Sequence, residues 1–202
     1  MGRAETDIII LGHFLQGPAH GYELKRRIDQ SFGNTYINVI NSLLYPRLAD
    51  LESRGYIEGH RESHEKVPDR KVYRITDAGR KHLRTLVATP IKVKKGVLPD
   101  FMDFTVHAVF FFMLTREERE RVIMPYYEAY SAVRDKGSEA LKKYGSRMDP
   151  YSQTMTEWGV EYVESSVRVL EKLMKISNQR QAAGYFQPDK DKQRSGDRSR
   201  SG

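Results

Sequence analysis

The apolar positions of the first ninety residues fall into short groups separated by turn signals. Ile8, Ile9, Ile10, Leu11, Phe14 and Leu15 form a group that reads as a helix ended by Gln16-Gly17-Pro18. Tyr22, Leu24 and Ile28 recur at helical spacing between His20 and about Phe32, while Lys25, Arg26 and Arg27 fall on other faces and Gly33-Asn34 predicts a stop. A third stripe, Ile40, Leu44, Leu48 and Leu51, predicts a helix over Asn38 to Arg54, with Gly55 placed for a left-handed ending. Pro46 interrupts this stripe. It removes a hydrogen-bond donor, so the helix is expected to bend there or to begin close to Asn41-Ser42. Two β-type runs follow, Tyr56-Ile57 and Lys71 to Ile75, joined by a charged stretch that contains Pro68-Asp69; they predict a hairpin with a long tip. Thr76-Asp77 opens a further helix.

The second half reads as helix throughout. Residues 100–114 are apolar nearly all round, which predicts a buried helix, and Thr115-Arg116-Glu117-Glu118 is a capping box for the next helix, expected to reach about Lys143. That helix carries a stripe of Val122, Tyr126, Tyr130 and Val133 beside Ile123 and Tyr127. The last helix carries Met155, Trp158, Tyr162, Val163, Val167, Leu170 and Met174. The two stripes can cover each other or a second subunit. The expected organisation is a domain over 1–90, a linker over 91–99, a helical domain over 100–179 and a polar, disordered tail over 180–202.

Composition narrows the classes. Hydrophobic residues make up 39% of 202, enough for a packed core, and the absence of cysteine removes disulfides, thiolate nucleophiles and cysteine-ligated zinc. The longest apolar run, Val106 to Leu114, is well short of the roughly 18 residues a membrane span requires, and the chain opens without a secretory leader. A cytoplasmic location and no membrane partner are expected. The net charge of +7 favours an anionic partner, nucleic acid before membrane, and it is uneven: +3 over 1–90, +1 over 91–179 and +3 over 180–202.

Three helices followed by a β-hairpin is the winged helix-turn-helix order, in which one helix enters the major groove and the hairpin reaches phosphates or the neighbouring minor groove. The fold class expected is therefore mainly α with a small β-hairpin. Asn38, Asn41 and Ser42 would offer amides and hydroxyls to base edges at the start of helix three, with Tyr45 and Arg47 reaching the backbone. Lys25 on helix two and Arg61, His64, Lys66, Arg70 and Lys71 on the wing supply cations, diluted by Glu58, Glu62, Glu65 and Asp69. A basic helix face or a charged loop alone is an ordinary solvated surface; their order here is what points to DNA.

His20-Gly21-Tyr22-Glu23-Leu24, Leu44-Tyr45-Pro46-Arg47-Leu48 and Leu51-Glu52-Ser53-Arg54-Gly55-Tyr56-Ile57 resemble, in order and separation, the PadR family of transcriptional regulators. Pro68-Asp69-Arg70-Lys71-Val72-Tyr73-Arg74-Ile75-Thr76 and Ala78-Gly79-Arg80 resemble the family's second wing strand and the helix after it. The resemblance covers about residues 8–88; the helical second half looks like the longer-chain branch. It implies a homodimer joined through its C-terminal helices on a pseudo-palindromic operator, usually a repressor released by a small effector, phenolic acids among them. Leu43 departs from the small residue the family commonly places before Leu-Tyr-Pro, which bears on how closely the helix approaches DNA there.

An effector pocket would draw its walls from His107, Tyr126, Tyr127, Tyr130, Trp158 and Tyr162, although aromatics at helical spacing serve equally as core or interface. An enzyme finds no support: there is no phosphate-cradling glycine loop and no Gly-x-Ser-x-Gly elbow. His60 and His64, on a hairpin, do not complete a His-Glu-x-x-His metal site. No cofactor is expected. An activator of the same fold and a winged-helix adaptor that binds protein remain alternatives; the adaptor differs in lacking salt-dependent affinity for duplex DNA.

Overall fold

A computed structural model of the chain describes residues 2–36, 41–64, 67–94 and 97–176. They form two compact units, one ending at Leu86 and the next beginning at Val87. The tail expected over 180–202 lies outside the described residues.

The first unit opens with α1 (Arg3–His13), whose isoleucines Ile8, Ile9 and Ile10 are all buried. A 3-10 turn over Phe14–Gln16 follows, and Gly17 takes φ 119°, a region open to glycine, to release the chain into β1 (Ala19–His20). Next comes α2 (Gly21–Tyr36), which runs past the stop expected at Gly33-Asn34. An interior glycine costs a helix only about 1 kcal/mol relative to alanine, too little to end it without a left-handed turn. Tyr22, counted with the apolar stripe, is exposed.

The third helix, α3 (Asn41–Ser53), keeps Pro46 inside it and buries Leu44, Leu48 and Leu51. Each such leucine contributes about 1.5–3 kcal/mol of transfer free energy. Its end is a Schellman turn: Gly55 at φ 73° donates to the Glu52 carbonyl and Tyr56 to the Leu51 carbonyl, both at 2.9 Å.

The wing strands are longer than the hydrophobic pattern predicts. β2 (Ile57–His64) and β3 (Val67–Ile75) pair antiparallel, with Ile57 opposite Ile75, Arg61 opposite Lys71, and an irregularity between Glu62 and His64. Charged residues on both faces erase the alternation that marks a strand, yet the ladder needs only backbone groups. β1, unforeseen, pairs with the other edge of β3, Ala19 opposite Tyr73 and His20 opposite Val72, giving the order β1-β3-β2.

Thr76 joins this sheet to α4 (Asp77–Ala88). Its hydroxyl donates to the Gly55 carbonyl (2.7 Å) and accepts the Gly79 N–H (3.0 Å), capping the helix.

In the second unit α5 (Phe101–Ala108) is capped by the Asp100 carboxylate, which accepts the Met102 N–H at 2.8 Å. The helix expected to continue to Leu114 breaks after Ala108 into a turn and a 3-10 segment, Phe111–Met113. Phe104 and Phe110 would lie roughly 120° apart on a straight helix, and leaving it lets both be buried. The capping box of Thr115 and Glu118 opens α6 (Arg116–Tyr144), a continuous helix with Pro125 inside it. A short turn then leads to α7 (Pro150–Lys175), whose first amides, Tyr151 and Ser152, are held by Asp149.

α6 and α7 form an antiparallel hairpin. At one end Arg119 donates to the Ile176 carbonyl at 2.8 Å; farther along, a Cβ on Gly137 would come within 2.6 Å of Val160 Cγ2. Val122, Ile123 and Tyr126 of α6, with Val163, Val167 and Leu170 of α7, are buried. The stretch read as a linker belongs to this unit: the Pro99 carbonyl accepts the Tyr130 hydroxyl at 2.8 Å and the Asp100 carbonyl accepts Tyr126 at 3.2 Å. No described helix is long and apolar enough to cross a membrane.

The closest backbone approach generates a test of the first unit. A Cβ on Gly79 would lie 2.0 Å from the Tyr56 carbonyl oxygen. Gly79→Ala should therefore destabilise the protein by about 1–3 kcal/mol in urea unfolding, against the small gain alanine gives an unobstructed helix.

Candidate nucleic-acid interface

An open groove of about 630 Å³ runs between the start of α2, the outer side of α3 and strand β3. Its lining combines tyrosines, Tyr22, Tyr45 and Tyr73, with the cations Arg26, Arg70 and Lys71. Close approach sets its shape. A Cβ on Gly21 would stand 2.7 Å from Tyr45 Cε1, so the absence of a side chain there lets the Tyr45 ring settle on the start of α2. His20 accepts the Glu23 N–H through Nδ1 at 3.1 Å, which leaves its proton on Nε2. Lys71 bonds Glu52 at 2.6 Å and lies 5.3 Å from the Tyr73 ring centre. The Glu52 hydrogen bond holds the Lys71 ammonium above its usual pKa, and burial pushes Tyr73 up. Both stay protonated at neutral pH.

The expected DNA-contacting residues divide by what holds them. Tyr45 is exposed on α3, as is Leu43 two residues before it; Arg61 and Arg70 are exposed on β2 and β3. Asn41 and Ser42 form the first turn of α3, and His64 is the last residue of β2. Asn38 and Lys66 lie outside the described residues. Two expectations are corrected. Lys25 is half-buried and paired along α2 with Asp29. Arg47, expected to reach the DNA backbone, turns inward: its Nε donates to Asp7 at 3.0 Å, a second nitrogen also bonds Asp7, and a third stands 3.2 Å from Asp50. Asp7 is buried and prefers a charged partner to water, which is why it draws the arginine in. Asp50 is further bound by Arg3 at 3.0 Å, and these arginines hold its carboxyl below the usual range against the cost of its desolvation.

Pattern reading missed Arg26. Of the three adjacent cations on α2, Lys25 is taken by Asp29, and Arg27 by Glu23 at 2.7 Å and by the Gly17 and Pro18 carbonyls; Arg26 is exposed in the groove. The signal was present in the i,i+4 spacing of Glu23 with Arg27 and of Lys25 with Asp29.

Of the six residues expected to wall an effector pocket, Trp158 and Tyr162 line one groove together. His107 is buried on α5 with Nδ1 3.3 Å from the Val87 carbonyl, and Tyr126 and Tyr130 are core residues whose hydroxyls hold residues 99–100. Desolvation raises Tyr130 well above the ordinary phenol range. Tyr127 is half-buried on α6. Trp158 and Tyr162 instead line a groove of about 400 Å³ with Leu98, Val133, Gly137 and Val163, to which none of the other four contributes.

Helices α2 and α3, an antiparallel wing and a tyrosine- and arginine-lined face between them define a winged helix-turn-helix module. A family model described as the transcriptional regulator PadR-like family matches residues 10–85. A probable transcriptional regulator of Mycobacterium tuberculosis is 32% identical over 82 residues, 41% of this chain and 43% of that protein, so the match spans less than half of the relative. An uncharacterized protein of Lysinibacillus sphaericus is 31% identical over 101 residues, which cover 50% of this chain and 91% of that one. Among solved structures, Bacillus subtilis PadR in complex with operator DNA is 20% identical, with a TM-score of 0.42 and coverage of 86% of this chain and 97% of that chain. The chain belongs to the PadR-like family of transcriptional regulators.

The division between buried and free cations is testable. Arg47→Ala leaves Asp7 uncompensated and should cost about 3–5 kcal/mol in urea unfolding. Arg26→Ala, which breaks no described contact, should leave the midpoint where it is.

Proposed function

We propose that the protein is a homodimeric, sequence-specific repressor whose operator affinity is relieved by a small aromatic effector. In this reading residues 1–90 contact DNA: α3 enters the major groove with Asn41 and Ser42 in its first turn and the exposed Leu43 and Tyr45 after them, Asn38 adds a contact, and Arg61, His64, Lys66 and Arg70 bind the adjacent backbone. Leu43 is suited to a thymine methyl group. Lys25, Arg47 and Lys71 act through their ion pairs, which shape this surface. The observation that carries the reading is the groove in which α2, α3 and β3 present tyrosines and arginines together.

Residues 100–179 join the two copies. On α7 the positions Tyr151, Met155, Trp158, Tyr162, Ser165, Val169 and Lys172 alternate at spacings of four and three, the repeat of a two-helix seam. The apolar members stay open to solvent: Tyr151 is 85% exposed, Met155 60%, Trp158 58% and Tyr162 44%. The groove beside Trp158 and Tyr162 is almost wholly apolar and of a size that suits a single aromatic ring system, which supports an effector at that seam.

Fluorescence anisotropy with duplex DNA from just upstream of the protein's own gene tests operator binding. Saturable affinity that falls with salt is expected, and no binding at low or moderate salt sinks the reading. Trp158→Glu should turn a dimer into a monomer by sedimentation and weaken binding to a two-half-site duplex; a dimer that survives the change would move the interface elsewhere.

A further inference from the structure

We infer that Arg26 of α2 and Arg70 of β3 together grip one phosphate of the DNA backbone, so that the wing is tied to the second helix through the DNA itself. The inference rests on the DNA-binding reading above and adds to it a residue and a shared ligand.

The charge balance of the groove carries it. Its ionisable lining is Glu23, Arg26, Arg70 and Lys71 beside His20. Glu23 is neutralised by Arg27 at 2.7 Å, and Lys71 by Glu52 at 2.6 Å. Arg26 and Arg70 are exposed and, among the described residues, neither has an ion pair. Glu23, taken up by Arg27, is the one described carboxylate in the lining, so the two arginines leave the groove positive until an anion enters. Guanidinium suits a phosphodiester because its planar fork can engage two oxygens at once. The tyrosines suit it too: Tyr22 and Tyr45 are exposed, and protonated phenols donate to phosphate oxygens.

The neighbouring cations are excluded on the same ground. Lys25, Arg27, Arg47 and Lys71 are each committed to a carboxylate. Arg26 and Arg70 come from elements far apart in sequence, so a shared phosphate adds a further tie between the wing and α2 when DNA is present.

The test is salt-dependent anisotropy with the full chain and a labelled random-sequence duplex, comparing wild type, Arg26→Ala, Arg70→Ala, the double variant and Lys25→Ala. If one phosphate is shared, either single change weakens binding but leaves the salt slope nearly intact, because the remaining arginine still neutralises that phosphate. The double change should lower the slope by about 0.9, the value of one phosphate contact. Lys25→Ala should leave the slope at the wild-type value. A slope that falls by about 0.9 for each single change means two separate phosphates and overturns the shared grip, as does a double variant with the wild-type slope. Saturable binding of inorganic phosphate that depends on both arginines would make the groove a free-anion site and also overturn it. A wild-type protein that ignores duplex DNA at every salt concentration defeats the DNA-binding reading instead.

Discussion

The pose of α3 depends on one buried carboxylate. The stripe of Leu44, Leu48 and Leu51 decides which side of α3 faces inward, but apolar contacts are non-directional and leave its axial position loosely set. Asp7, buried on α1, removes that freedom, because Arg47 can satisfy it from one place along the helix. Asp50, a turn later, is bound by Arg3 and by Arg47, so α1 and α3 are tied at two points. Taking Asp7 and Arg47 out of water is costly, and their tie persists because breaking it would strand a buried charge. The same geometry takes Arg47 away from any outside ligand.

A second constraint positions the wing. Gly55 can turn left-handed, which ends α3 and starts β2 with the right direction, and Thr76 bonds back to that turn. Gly79 then allows α4 to press against the Tyr56 carbonyl at a distance no side chain would permit. Three small or hydroxylated residues thus fix both ends of the hairpin. Farther out, the ladder to β2, the two-residue strand β1 and the Lys71–Glu52 pair hold β3 in place.

Much of this was legible in the sequence where a residue type has one local use. The left-handed stop at Gly55, the capping box of Thr115 with Glu118 and the burial of the α3 leucines follow from chemistry confined to a few neighbours. What escaped reading depended on partners distant in the chain. β1 is two residues long and exists because β3 offers an edge, and Arg47 reads as a free surface cation until Asp7, forty positions away, is brought beside it. The wing strands were under-read for a different reason: they are polar on both sides and carry no periodic signal. Arg26 was within reach, since the pairs that engage its neighbours are visible at a spacing of four.

The same accounting explains why α7 is unusual. A helix that packs only within its own hairpin needs a single apolar stripe, and Val163, Val167 and Leu170 supply one, with Ser166 buried among them. A second row, Tyr151, Met155, Trp158 and Tyr162, is displaced around the helix and keeps the 3.5-residue repeat of helices that wind on one another. Scattered exposed apolar residues call for no explanation, but four in register on one helix, two of them beside an apolar groove, form a continuous surface that water penalises. Covering it with a second copy of α7 removes that surface from water and, on the function proposed, joins two winged-helix units in one assembly.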